Sequence, residues 1–211
     1  MIIILSPSKT LNLNNFDVAP IVSEPFFNSE AKKLMKELKK WSAADLSKNM
    51  KLSKDLSGVV RKWHADWDKD DGSVQAGFAM KGEAFKALDL TSLSPETIKD
   101  SNDKLYILSG LYGALRPCDL VKPFRLEMGQ RFKPHDGSMS LNAFWSERLI
   151  NFFNSLLASS NSKTLINLAS DEYSKVVLKK ELEANVIYFS FKTETDKGLK
   201  NVSVFSKQAR G

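Results

Sequence analysis

The segment IIILSPSKT, residues 2–10, sets the fold. Ile2 to Leu5 form a short, β-branched apolar run, which reads as a buried strand. The strand runs straight into the polar loop Ser6-Pro7-Ser8-Lys9-Thr10. The pattern recurs twice: Leu105 to Leu108 leads into Ser109 and SGLYGALRP, and Leu165 to Leu168 leads into ASDEYSK. In parallel sheets, ligands bind in the crevice beyond the carboxyl ends of the strands. Parallel pairing would therefore bring Ser6, Ser8, Lys9, Ser109, Tyr112, Arg116, Ser170, Asp171, Glu172 and Tyr173 to one edge. The plainer alternative makes the serines helix caps or turn formers. Both readings stand for Ser170, because Asp171 and Glu172 would occupy a favourable first helical turn.

Between these strands the chain reads as helices. Ala31, Leu34, Met35, Leu38 and Trp41 make one apolar stripe over residues 29–41, with Asn28 or Ser29 as cap. Residues 43–62 read as two short helices, Leu46 and Met50 in the first and Leu56, Val59 and Val60 in the second. The turn falls near Met50 to Ser53. Residues 11–27 look irregular, punctuated by Pro20 and Pro25. Residues 63–77 read as a polar loop, 78–88 as a helix, and Ser94-Pro95-Glu96 as a helix start. Asn142 to Leu157 is amphipathic. Val186 to Phe191 and Val202 to Phe205 read as late strands. The expected fold is a single α/β domain over 1–211, with a mixed, largely parallel sheet flanked by helices. The antiparallel mixing is expected in the last two strands.

A chain of 211 residues, 42% hydrophobic and 27% charged, is an ordinary globular composition. Lys and Arg outnumber Asp and Glu by 31 to 25, a net charge of +6, which favours anionic partners. Cys118 is the single cysteine, so no internal disulfide can form, and it reads as a small buried hydrophobe. The opening apolar run is too short for a signal peptide, and no stretch is long enough to span a membrane. The expected location is the cytoplasm, with no membrane partner.

Several chemistries are weak. SPSKT lacks the glycines of a phosphate-wrapping loop, though Lys9 can serve as a point charge. Residues 66–71 begin like a calcium loop, but Asp71 stands where glycine is needed and Gly77 where glutamate is needed. Two histidines, His64 and His135, and one cysteine are few ligands for zinc or an iron–sulfur cluster, so no metal or cofactor is expected. No G-x-S-x-G elbow is present. Arg116, Lys122, Arg125 and Arg131 cluster in a segment stiffened by Pro117 and Pro123. They either bind an anion or pair with Asp119 and Glu127. The helical pair carries Lys48, Lys51, Lys54, Arg61 and Lys62. A helix–hairpin–helix-like element can offer lysines and amides to phosphates, although the usual hairpin glycine is missing and Gly58 comes too late. An ordinary charged helical face is the equal alternative.

ILSPSKT (4–10), MKGEAFKAL (80–88), LSGLYGALRPCDLVKPFRLEMG (108–129), Phe144-Trp145, INLASDEYSKVV (166–177) and KQARG (207–211) resemble the YaaA family of peroxide stress resistance proteins across the whole chain. The resemblance implies a hydrogen peroxide response, limitation of iron-driven damage, and an α/β fold with a helix–hairpin–helix element and a basic cleft. It also implies DNA as partner, distorted duplex included. Lys9, Lys81, Arg116, Arg125 and Lys207 would line or flank the cleft, and residues 43–62 would be the hairpin element. Family members usually continue past the Ala-Arg-Gly tripeptide, so a C-terminal segment is expected to be missing. Cys118 replaces a larger aliphatic residue, which implies a packing change.

Two functions follow. In the first, a monomeric stress protein holds DNA phosphates through Lys9, Lys48, Lys51, Lys54, Arg61, Lys81, Arg116, Arg125 and Lys207. In the second, an enzyme acts on a small anionic metabolite. Ser6, Ser109, Tyr112 and Ser170 line its pocket, and Lys9, Glu127, Asp171, Glu172 or Tyr173 supply catalytic groups. The reading favours binding over catalysis. Direct iron sequestration fits the ligand count poorly.

Overall fold

The computed structural model describes residues 1–13, 21–69, 72–134, 136–160, 162–196 and 198–211. In chain order, β1 (Ile2–Leu5) is followed by α1 (Asn28–Leu38), α2 (Ala43–Met50) and α3 (Lys54–Asp66). Next come β2 (Val74–Gln75), α4 (Ala76–Ala79), α5 (Glu83–Leu88) and α6 (Pro95–Lys104). The middle of the chain forms β3 (Leu105–Ser109), β4 (Gly113–Leu115), β5 (Leu120–Val121) and α7 (Leu141–Ser159). The last part forms β6 (Thr164–Leu168), α8 (Asp171–Ser174), β7 (Asn185–Tyr188), β8 (Thr193–Thr195), β9 (Gly198–Lys200) and α9 (Ser203–Gln208).

The main sheet has five strands in the order β4-β3-β1-β6-β7. β1 is parallel to both neighbours, with Ile4 opposite Tyr106 on one side and Asn167 on the other. β7 extends the parallel set, whereas β4 turns back antiparallel on β3. The antiparallel member of the main sheet is thus a strand unread in the sequence. Gly113-Ala114-Leu115 is too short to show a period, and the tight turn after Ser109 creates it. Helices on both sides supply the core, in which Ile4, Ile107, Leu108, Leu165, Leu34, Phe144 and Phe153 are almost fully buried. Within α7, Phe152 and Phe153 meet Tyr106 edge-on at 5.6 and 5.5 Å. Among the described residues no helix is long and apolar enough to cross a membrane.

Other differences from the sequence reading have physical causes. Residues 202–205 form no strand; Ser203–Gln208 is helical, and α9 packs on α5. Their β-branched content suggested a strand, and tertiary packing overrode that weak preference. The late strand is Asn185–Tyr188 and stops before Phe191. α3 continues to Asp66 because Ser57, Val60, His64 and Trp67 share one buried face, so residues 63–66 are not loop. Leu56 and Val59 face outward instead, at 37% and 46% exposure. The helix expected over 78–88 breaks between α4 and α5, where Met80 bridges to Leu11. Residues 74–77 contribute β2 and the start of α4 rather than loop. α1 is capped by Phe27 without a side-chain bond; neither Asn28 nor Ser29 caps it. Pro20, Asp70, Asp71 and His135 lie outside the described residues, while Asp66 and Asp68 are paired with Lys69 and Lys39. Cys118 is fully buried, and burial pushes its thiol pKa up.

α2 begins with a capping box. Ser42 accepts from the Asp45 N–H, and the Asp45 carboxylate accepts from the Ser42 N–H. Lys51 then takes a left-handed conformation, φ 52°, and Ser53 caps α3. A lysine thus fills the place where glycine is usual, at a cost of about 1 kcal/mol.

Trp145 locks α7 to the sheet. Its indole N–H donates to the Gly110 carbonyl at 2.9 Å, and its ring lies over Gly113. Gly113 has φ +70°, and a Cβ there would sit 2.6 Å from the ring. Gly113→Ala should therefore cost about 2–4 kcal/mol in urea unfolding. Gly58→Ala, in open space within α3, should be neutral or stabilising by up to about 1 kcal/mol. Equal midpoints for the two variants would contradict the Trp145 packing.

His64 is fully buried, and its Nε2 accepts the Arg125 N–H at 3.3 Å. Burial first, and the neighbouring Arg61 charge second, pull its pKa from 6.5 down to about 4. The folded state thus prefers neutral imidazole. Its contribution is complete above the unfolded pKa and declines as pH falls from 6.5 toward 4. Between pH 7 and pH 5 the wild type should lose about 2 kcal/mol through this group. His64→Gln, which keeps an acceptor but does not titrate, should show a correspondingly flatter dependence of unfolding on pH.

Candidate functional site

The parallel register puts the ends of β1 and β6 side by side. Ser6 Oγ accepts the Ser170 N–H at 2.8 Å and donates to Ser170 Oγ at 3.1 Å. Ser170 holds the cap position of α8, yet its side chain makes no cap bond there. It is committed to the seam between the two loops.

Residues 8–12 then zip onto the break between α4 and α5. The Ser8 N–H reaches the Met80 sulfur at 3.2 Å, Lys81 N–H donates to the Thr10 carbonyl at 2.9 Å, and Asn12 N–H donates to the Ala79 carbonyl at 2.7 Å. Gly82 permits the approach, since a Cβ there would lie 2.9 Å from Ser8 Oγ. α9 closes the wall through Gln208, which donates to the Glu83 carboxylate at 2.9 Å. Hydrogen bonds from Lys86 and Gln208 hold the Glu83 pKa below its ordinary value, so it stays ionised.

These elements enclose an open cleft of about 480 Å³. Lys9, Lys81, Lys207 and Arg210 line it, against two carboxylates, Glu83 and Glu172. Ser6, Ser8, Thr10 and Ser170 add hydroxyls; Leu5, Phe85 and Leu168 add apolar surface. The cationic excess suits an anion, because charges in a concave, low-dielectric wall focus the field. Burial raises the Tyr173 phenol pKa above its ordinary value, so it remains protonated near neutral pH and keeps a hydroxyl that both donates and accepts.

One strap braces the cleft from behind. Arg125 donates to the Lys9 carbonyl at 2.8 Å and to Glu127 at 2.8 Å. Glu127 also pairs with Lys9 Nζ at 2.7 Å. Gly129 N–H donates to Glu172 at 3.0 Å, and Gln130 bonds the Asn49 carbonyl of α2. The strap therefore ties the helical pair to the strand-end loops. Arg125 and Glu127 position Lys9; they do not line the cleft.

Four expected members do not line the cleft. Arg116 is bound to Asp119, which is 1% exposed, and to the Glu24 carbonyl, so it fixes the loop after β4. Ser109 is buried and accepts the Tyr112 N–H. Tyr112 turns inward, its hydroxyl accepting the Lys122 N–H at 3.1 Å, beside a separate recess of about 240 Å³. The sharp return of β4 on β3 carries Tyr112 and Arg116 away from the strand-end edge, whereas Ser109 stays at that edge, buried behind Ser8 and Lys9. Asp171 is exposed at the start of α8, outside the cleft lining. Lys48, Lys51 and Lys54 are exposed on the helical pair, and Arg61 is partly exposed. Arg210 and Phe85 went unread in the sequence. Lys207 and Arg210 stand three apart, a helical spacing hidden by the strand reading of 202–205.

Residues 1–211 match the model of the family described as peroxide stress protein YaaA. A UPF0246 protein of Psychrobacter cryohalolentis is 38% identical over 221 residues, covering all of this chain and 83% of the relative. A UPF0246 protein of Polynucleobacter necessarius subsp. necessarius is 38% identical over 214 residues, with the same coverage. A third, from Maricaulis maris, is 37% identical over 212 residues and 80% covered. The chain belongs to the peroxide stress protein YaaA family.

Proposed function

We propose that this chain acts in the cytoplasm during peroxide stress as a monomer that binds DNA through the basic cleft. The observation that carries the reading is the convergence of Lys9, Lys81, Lys207 and Arg210, from three separate parts of the chain, on one open concavity. Phosphate contacts from such side chains position a protein on DNA without reading sequence. Lys48, Lys51, Lys54 and Arg61 extend the basic surface beyond the cleft. Arg125 acts here through Lys9, and Arg116 has no part in it.

Limitation of iron-driven damage follows from the same electrostatics. DNA carries a condensed layer of cations, and a bound protein releases those near its contacts. Ferrous ions held on the backbone would be released with them, so peroxide would meet less iron beside the sugar. Protection on this account requires occupancy of DNA, not a protein-borne iron site.

The second reading is an enzyme for a small anionic metabolite. The concavity of the cleft favours it, with Glu172 and the protonated Tyr173 beside the cations at the carboxyl ends of parallel strands.

Fluorescence anisotropy of labelled duplex and bubble DNA, titrated at several salt concentrations, separates the two. DNA binding should weaken steeply with salt, and Lys81→Ala with Lys207→Ala should reduce the logarithmic salt slope by about 2. The triple variant Lys48→Ala, Lys51→Ala, Lys54→Ala should reduce affinity further. A folded sample that binds neither DNA at low salt would contradict the reading.

A further inference from the structure

We propose that the cleft is a subsite for a single nucleotide, holding one nucleoside 5′-monophosphate unit with its phosphate among Lys9, Lys81, Lys207 and Arg210. The inference rests on the phosphate-binding reading above and narrows it.

Size is the first argument. The cleft volume of about 480 Å³ falls within the roughly 300–1,000 Å³ of pockets that enclose small ligands. A paired duplex cannot enter a pocket of small-ligand size and can touch only its rim. What fits is one unit drawn from the polymer or free in solution. Duplex contacts must then be made on the rim, by exposed lysines.

Lining chemistry is the second. Lys81, Lys207 and Arg210, together with Lys9 on its pairing with Glu127, outweigh Glu83 and Glu172, and this cationic excess suits a dianionic phosphate. Yet the same walls carry Leu5, Pro7, Ala84, Phe85 and Leu168, which a bare phosphate or a sugar phosphate would leave uncovered. A nucleobase supplies a flat apolar face for that surface, and bases stack on aromatic side chains whatever their sequence. The carboxylates also have a use. Glu83 is ionised and held in place by Lys86 and Gln208, and Glu172 is held by Gly129. Fixed acceptors beside an anion site would repel a second phosphate, but they accept hydrogen bonds from sugar hydroxyls or exocyclic base amines. The composition therefore selects a monophosphate with a polar-edged apolar body over inorganic phosphate.

The nucleotide can come from two sources: a free mononucleotide, or an unpaired nucleotide of DNA turned out of its stack. Unpaired nucleotides cost least to turn out.

The test uses the full chain and calorimetric titration with deoxyadenosine 5′-monophosphate, deoxyadenosine and inorganic phosphate. The monophosphate should bind at least tenfold more tightly than either part alone. Lys81→Ala and Lys207→Ala, both at exposed positions, should each weaken it several-fold, and Phe85→Leu should weaken it while leaving the affinity for inorganic phosphate unchanged. In a parallel arm, the monophosphate competes with labelled duplex carrying one unpaired nucleotide and with fully paired duplex. Selective displacement of the first assigns the source as DNA. Monophosphate binding without any DNA binding assigns a free nucleotide; the subsite then stands and the DNA reading falls. DNA binding that ignores both the monophosphate and the unpaired nucleotide overturns the subsite and leaves the DNA reading intact. Equal affinities for the monophosphate and inorganic phosphate also overturn it.

Discussion

The pairing of β1 with parallel partners on both sides is the constraint on which the rest depends. Four residues, Ile2–Leu5, accept β3 and β6 as neighbours. Because the three strands run the same way, the polar segments that follow them emerge at one edge. β1 itself is a short apolar strand with no functional group. Its effect is positional: it brings Ser6 within hydrogen-bond distance of Ser170, 164 residues away in sequence. Every feature of the cleft is built outward from that seam.

The positive charge of the chain is divided between structural and exposed uses. Arg116 and Arg125 are committed to carboxylates and carbonyls, where planar guanidinium groups hold loops in place. Among the described residues no carboxylate oxygen lies within 4.0 Å of Lys81, Lys207 or Arg210. The arginine-rich motif that looks most like a binding site in the sequence is thus the scaffold. Lysines scattered over residues 9, 81 and 207 line the cleft instead. Buried His64 belongs to the scaffold as well, since it fixes the strap that in turn fixes Lys9.

Much of this was readable from residues alone, and the failures have definite causes. The β-branched run Ile2–Ile4 and its two echoes predict the parallel core because buried parallel strands are continuously apolar. The stripe Ala31, Leu34, Met35 and Leu38 predicts α1, and all four are buried. Ser6, Lys9, Ser170, Glu172 and Tyr173 meet at the cleft because strand direction alone determines where they emerge. Ser109 and Tyr112 do not, because the three-residue strand β4 has no periodicity to announce it. α9 was misread because Val202, Val204 and Phe205 have high β-propensity, while its contacts to α5 span more than a hundred residues. The role of Arg125 as a brace rather than a ligand depends on a carbonyl 116 residues distant, which no local pattern encodes.

The central claim is that the anion-binding surface is the strand-end cleft and not the arginine-rich central segment. Backbone amide NMR of the 23.7 kDa chain, titrated with a short single-stranded oligonucleotide, tests it directly. Saturable shifts are expected at Ser6 to Thr10, Lys81 to Glu83 and Lys207 to Arg210, with residues around Arg116 unmoved. Shifts centred on Arg116 to Asp119, or confined to α2 and α3 with the cleft silent, would contradict it.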